Sequence, residues 1–370
     1  MIRLLHSLQK ADLFSSAPPR LTIELPHDID APTSSFLQSF QWPPSTELNT
    51  GNLLTLHHRI PQHGLTREEN DIRVLESFWP ADRSASHVLI LSPQVELSPL
   101  FYHYLKYTLL EYKYSLSKAL INPHLLGISL ELPTMFLNET SAFTPPLMNG
   151  SKSDALGTNV VTKGITPFLW QAPNSNAALY FGEKWTELHE FVTNLLQSQH
   201  TLPTATTLNG ENVSHKYPSW LEHILKLARA RGYWFIYPNF DNGDSIATLH
   251  DDLYQPPEEF KEENAEKATE DDVLTADPIH HIKPKSDQNK LLKTSLLNIL
   301  PFDGILPNVF NMPLVTWDGE EIEAADIRPL AAEYSAIFRR EIGGCDEELK
   351  LEPFTAMGVS DLFCLDPAGV

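Results

Sequence analysis

The sequence predicts an α/β fold: a Rossmann-like, mostly parallel sheet flanked by helices, with an acidic insertion and a C-terminal extension. Three observations predict it. Short runs of β-branched and apolar residues alternate with segments of helical period. The helical segments open on recognisable start signals. Hydrophobic residues make up 42% of the 370, enough for a sizeable core.

Taken in order, Ile2, Leu4, Leu5, Leu8 and Leu13 follow helical spacing, so the chain opens inside an amphipathic helix, as though an upstream segment were missing. Arg20–Leu25, Leu53–His57, His87–Leu91 and Leu125–Leu132 read as strands bounded by Pro, Ser or Gly. Thr66 and Glu69 form a capping box ahead of Ile72, Leu75 and Trp79. Ser98 caps a helix that begins at Pro99 and turns Phe101, Tyr104, Leu105, Thr108 and Tyr112 inward. Further helices run from Gly182 to Leu196 and from Trp220 to Arg231, the second ended by Gly232, and Tyr233–Tyr237 is a buried-type strand.

Between Glu258 and Asp277, nine acidic residues against Lys261 and Lys267 predict a solvated or disordered insertion. Lys290–Leu300 is weakly helical, and Ile327–Glu341 is a clear helix stopped by Gly343 and Gly344. The expected organisation is a main domain over residues 1–255, an acidic linker over 256–285, and a C-terminal extension over 286–370 that packs on the main domain.

The formal charge of −21 argues against an electrostatic grip on nucleic acid or an anionic membrane surface. No run of eighteen apolar residues occurs, so no membrane span is expected in this chain. Two cysteines, Cys345 and Cys364, are too few for a cysteine-rich zinc site and leave the redox compartment open. Sequons stand at Asn138, Asn149 and Asn212, about as many as chance supplies.

In a sheet of this kind ligands bind beyond the carboxyl ends of the strands, so the loop after His87–Leu91 is the first place to look for chemistry. The stretch HVLILSPQVELSPLFYHYLKYTLLEYKY, residues 87–114, resembles the central signature of GT-A glycosyltransferases of family 2: an apolar strand, a short acidic tip, then a helix started by Ser and Pro. LTREENDIRVLESF resembles the helix before it, TPFLWQAPNSNAALYFGEKWTELHEFV the acceptor-side segment, and YPSWLEHILKLARARGYWFIYP the late helix and strand. The likeness spans roughly residues 1–255, lacks the first nucleotide-binding strand, and is greatest to fungal members of the family.

The resemblance implies transfer of a sugar, with inversion, from a nucleotide sugar to a glycan or other hydroxyl acceptor. It also implies the lumenal side of the Golgi or endoplasmic-reticulum membrane. In the family the strand tip carries Asp-x-Asp, because carboxylates hold a divalent cation against the leaving diphosphate. Here the tip reads Ser92, Pro93, Gln94, followed by Glu96. Glu96, His250, Asp251 and Asp252 are the candidate ligands for Mn²⁺ or Mg²⁺; alternation leaves Glu96 facing the cleft or equally solvent as a structural or solvated carboxylate, and His250-Asp251-Asp252 equally suits an ordinary polar turn. Asn70, Arg73 and Gln94 are candidates for the donor nucleotide, although Arg73 equally suits a pair with Glu69 or Glu76.

Glu222 is the candidate base, or else the carboxylate of a capping box with Ser219. Trp170, Gln171, Asn174 and Asn176 are acceptor-side candidates, the alternative being a Pro/Asn turn with Trp170 in the core. His57–His58 and His280–His281 read as structural pairs, since adjacent side chains diverge on a strand. The altered tip also fits a catalytically inactive relative that binds glycan or partners an active transferase.

Overall fold

The computed structural model describes residues 1–13, 18–44, 53–60, 69, 72–115, 122–147, 166–201, 212–240, 244–250, 290–291, 296, 300, 304–345 and 359–364. The Thr66 cap, Asn70, Asn149, the acidic segment, Asp251, Asp252 and His280–His281 lie outside them.

The elements in chain order are α1 (Ile2–Gln9), β1 (Leu21–Leu25), α2 (Ala31–Ser39), β2 (Leu54–His58), β3 (Val88–Leu91), β4 (Val95–Leu97), α3 (Phe101–Tyr112) and β5 (Leu125–Ser129). They continue with β6 (Phe168–Trp170), β7 (Ala177–Tyr180), α4 (Gly182–Thr201), α5 (Trp220–Arg231), β8 (Trp234–Tyr237), β9 (Asp244–Ser245) and β10 (Ala247–Leu249). The last are β11 (Lys290–Leu291), β12 (Leu314–Val315), β13 (Glu321–Ile322) and α6 (Ile327–Glu341).

Seven strands form the central sheet in the order β13-β12-β6-β8-β5-β7-β3. It is mixed, not mostly parallel: β12 with β6 and β5 with β8 are parallel, and the other four pairings are antiparallel. The difference has a specific origin. FLW and AALY, which are not among the strands expected from sequence, are the short buried strands β6 and β7. Their insertion beside β8, and between β5 and β3, reverses direction at those places. β1 and β2 pair in parallel in a separate two-stranded sheet, where His57 Nδ1 lies 2.7 Å from Glu24 across the register.

Side chains of successive strand residues serve two cores, as the pleat requires. On one side Ile128, Leu169, Leu179 and Ile236 pack with α1, α2 and α3. On the other Phe168, Trp170, Tyr180, Phe235 and Tyr237 pack with α4, α5 and α6. The result is a sheet between two helical layers.

The helices follow their predicted faces closely. Phe101, Tyr104, Leu105, Thr108 and Tyr112 are the buried residues of α3. Ser98 starts that turn through its Oγ, which accepts from the Leu100 N–H at 3.1 Å, and the helix itself begins at Phe101. Gly232 closes α5 at φ 63°, a conformation that favours glycine. Within the segment expected to form a helix before Val88, Glu69 and Ile72 are helical and Arg73–Ser77 is a 3₁₀ turn. Lys290–Leu291, expected as weak helix, pairs as a strand with Asp244–Ser245. The C-terminal extension contributes β12 and β13 to the main sheet, and α6 packs on α5.

His87, just before β3, has both ring nitrogens engaged: Nδ1 accepts the Gly182 N–H at 3.1 Å, and Nε2 meets the Tyr114 hydroxyl at 2.7 Å. That pattern fits the neutral imidazole. Burial, reinforced by Lys113, pushes its pKa down to about 4; burial, reinforced by Lys184 and Arg328, does the same to His124. Both histidines in the unfolded chain titrate at about 6.5. The unfolded chain therefore takes up protons first as pH falls. Stability is full above about pH 6.5 and is lost on descending to about pH 4, by about 1–2 kcal/mol per histidine after allowance for partial exposure. Urea unfolding between pH 7.5 and 4.5 checks this; a midpoint that stays level from pH 7 to pH 5 contradicts it.

Candidate strand-end site

The strand-tip loop is built by its backbone. Ser92 donates its N–H to the Asn176 carbonyl at 2.6 Å, and Val95 donates to the Ser92 carbonyl at 3.1 Å, turning the chain from β3 into β4. β4 then pairs antiparallel with β10, which sets Glu96 opposite Thr248. The His250 N–H extends the ladder to the Gln94 carbonyl at 3.1 Å. From the other side α1 supports β4: the Ser7 hydroxyl accepts the Leu97 N–H at 3.2 Å and donates to the Leu4 carbonyl at 2.7 Å.

This frame brings Glu96 and His250, 154 residues apart, to 2.8 Å between Oε2 and Nε2. Thr248 Oγ1 stands 3.4 Å from the same imidazole nitrogen. The Glu96 and His250 side chains keep 33% and 35% of their exposure, so a ligand can reach both. Alternation explains the geometry: Val95 and Leu97 are buried, so Glu96 between them points the other way. Among the described residues no third His, Cys, Asp or Glu joins them in a group able to hold a metal ion. One carboxylate oxygen and one imidazole nitrogen form a mixed donor pair that suits Mn²⁺ better than Mg²⁺. Gln94 is exposed at the loop tip, and its backbone carbonyl is committed to His250.

The acceptor-side candidates fall in different places. Trp170 is fully buried; Phe143 stacks on it at 4.0 Å with an interplanar angle of 8°, and its Nε1 donates to the Thr316 carbonyl at 2.9 Å. A face covered in this way offers nothing to a sugar, so Trp170 is a core residue. Gln171 donates from Nε2 to the Ala228 carbonyl at 3.3 Å, toward the carboxyl end of α5 and away from the strand tip.

Asn174 is buried and saturated. Its Nδ2 donates to Ser129 Oγ and Glu131 Oε2, both at 3.0 Å, while its Oδ1 accepts the N–H groups of Asn176 at 2.6 Å and Ala177 at 3.1 Å. An amide has two donors and two acceptor positions, and all four are used inside the protein. Asn174 therefore builds the turn that carries Asn176, and is not itself an acceptor-binding group. Asn176 alone of the four sits against the strand tip, through its carbonyl bond to Ser92.

Glu222 occupies the first turn of α5, in the helical layer on the opposite face of the sheet from the core that holds β4. The expected capping box is not what forms. Ser219 has helical backbone angles and makes no side-chain cap hydrogen bond, and the Glu222 N–H goes to the Ser219 carbonyl. The carboxylate instead anchors the incoming chain: Oε2 accepts the Asn212 and Val213 N–H groups at 3.2 and 3.0 Å, and Lys226 lies 3.8 Å from Oε1. Arg73, in the 3₁₀ turn, donates to the Ile60 carbonyl at 3.3 Å.

Sequence reasoning passed over Ser129 and Glu131. Both are buried at the carboxyl end of β5, where the Ser129 hydroxyl donates to the Glu131 carbonyl at 2.7 Å. The available signal was a carboxylate inside an apolar run, ISLEL.

No protein-family model matches this chain, and no curated protein matches it. No helix among the described residues is long and apolar enough to cross a membrane.

Proposed function

We propose that this chain is a glycosyltransferase-like protein of the GT-A type, which takes the diphosphate of a nucleotide sugar at the strand-end site. The single observation that carries this reading is the Glu96–His250 pair, held at 2.8 Å by the β4–β10 ladder beside the loop that follows β3. Its position accords with the general rule that open α/β sheets bind ligands past strand carboxyl ends.

Glu96 and His250 would hold Mn²⁺ or Mg²⁺, with Asp251 and Asp252 next in sequence and the remaining positions filled by water and diphosphate oxygens. Such a cation neutralises charge on a leaving diphosphate. Asn176 and the exposed Gln94 would border the donor. The acceptor would be a glycan or another hydroxyl compound, and the Golgi or endoplasmic-reticulum lumen is the compartment that goes with this reading.

A second reading, binding without transfer, is favoured by two observations. The tip residues Ser92, Pro93 and Gln94 carry no charge, and the Glu222 carboxylate is engaged by two backbone N–H groups in place of an acceptor hydroxyl.

Titration calorimetry of UDP and GDP with and without Mn²⁺ tests the donor site. Binding is expected only with the metal, and weakened at least about tenfold, or about 1.4 kcal/mol, by Glu96→Ala or His250→Ala. Absence of binding by either nucleotide in the presence of Mn²⁺ rejects the transferase reading and leaves a glycan-binding or partner role. Sugar release from a panel of nucleotide sugars separates the two readings, since a binding-only protein releases none.

A further inference from the structure

We propose that Asn138 carries an N-linked glycan, and that the chain therefore folds in an oxidising, glycosylating compartment. Two independent observations lead there. The first is local. Asn138-Glu139-Thr140 is a sequon at the tip of a turn closed by the Met135–Ala142 bridge, with Glu139 at φ 55°. Asn138 and Thr140 are both exposed. Asn138 Oδ1 accepts from the Thr140 N–H at 3.1 Å and from Thr140 Oγ1 at 2.9 Å. Both of its acceptor positions are thus filled from the sequon itself, which leaves the exposed Nδ2 amide as the group open to substitution.

The second observation is remote from the first. The chain's two cysteines, Cys345 and Cys364, are joined in a disulfide. Structural disulfides persist in secreted and lumenal proteins and are rare where thiols are kept reduced. The same compartments hold the machinery that recognises sequons.

The structure also distinguishes between sequons. At Asn212-Val213-Ser214 the Asn212 and Val213 N–H groups are bound by Glu222, Val213 is buried, and the Ser214 hydroxyl donates to Glu139 at 3.0 Å. That segment is tied into the fold through its backbone and the sequon hydroxyl, and Asn212 is only partly exposed. Of the two sequons among the described residues, Asn138 is the exposed one. In the reaction Asn138 Nδ2 loses a proton to the transferase and bonds to the anomeric carbon of an oligosaccharide. The bond from that carbon to a lipid-linked diphosphate breaks, and its electron pair leaves on the diphosphate oxygen.

The test is peptide mapping of the full chain purified from the cells that naturally make it, deglycosylated by peptide N-glycosidase in ¹⁸O water. Asn138 is expected to be recovered as labelled aspartate in most molecules and Asn212 as unlabelled asparagine. In a full chain that carries Ser151→Ala to remove the Asn149 sequon and is directed to the endoplasmic reticulum of a eukaryotic host, Thr140→Ala should abolish the glycosidase-sensitive band shift and Thr140→Ser should retain it. Unlabelled Asn138 in the natural protein overturns the proposal. So does a targeted chain whose shift survives Thr140→Ala, or one that is modified at Asn212 in place of Asn138.

Discussion

Replacing Gly127 with alanine is expected to abolish the folded state or to destabilise it by more than about 4 kcal/mol. Gly127 lies in β5, flanked by β7 and β8, at an irregularity in the β5–β8 register between Leu125 and Gly127. A β-carbon there would sit 2.0 Å from the Leu179 carbonyl oxygen and 2.6 Å from a Phe235 ring carbon. The first is backbone of a neighbouring strand and cannot move without breaking the ladder. The second belongs to a ring packed edge-on against Tyr180 at 5.0 Å, so it has nowhere to retreat. Glycine in a strand interior marks such close approaches. Ile128→Val, one residue on, removes a single buried methylene and should cost only about 0.5–1.5 kcal/mol. Circular dichroism and urea unfolding of the two variants compare them; a Gly127→Ala protein that unfolds within 1.4 kcal/mol of the parent, about a tenfold change in equilibrium constant, rejects this account of β5.

Helices were legible in the sequence because their signal is long and redundant. In α5 the spacing of Leu221, Ile224, Leu225 and Ala228, with Gly232 behind it, leaves little choice of face or end, and those residues are buried. Sheet pairing was not legible to the same degree. Strands of three or four residues such as FLW and AALY carry no period, and their direction depends on which neighbour each one meets.

The site divides along the same line. Alternation along β4 left two directions open for Glu96, and only pairing with β10 shows that it turns toward His250. Trp170 and Asn174 have the residue types that sugars favour, but composition says nothing of what already covers them. Phe143 covers the first; Ser129, Glu131 and the Asn176 and Ala177 amides consume the second. Glu222 illustrates a further limit. The capping-box pattern named the right kind of bond, a carboxylate accepting backbone N–H groups, but the partners come from residues 212 and 213, outside the box.

Asp361→Ala is expected to cost about 3–5 kcal/mol although it lies far along the chain from most of the sheet. Arg231, at the end of α5, is buried to 3% side-chain exposure and needs compensation. Asp361 grips it with both oxygens, Oδ2 at 2.7 Å from Nη1 and Oδ1 on Nη2, while Glu187 stands 3.4 Å from Nε. Glu187 also accepts from the Tyr233 hydroxyl at 2.9 Å, so it is shared and cannot replace the lost carboxylate. Removing Asp361 strands most of a buried guanidinium charge, and this uncompensated charge is the source of the loss. The Asp361 carbonyl still accepts from Arg339, and the Cys345–Cys364 bridge still ties down the segment, so the variant reads the ion pair and not detachment of the chain. Changing both partners to apolar residues, Arg231→Met with Asp361→Leu, should recover much of the stability, because a buried pair replaced by packed side chains costs little. Urea unfolding of the parent, Arg231→Met, Asp361→Leu and the double variant closes the cycle. Coupling of several kcal/mol between the two positions is the expected result, and losses that merely add within about 0.5 kcal/mol would mean that Arg231 is not held by Asp361.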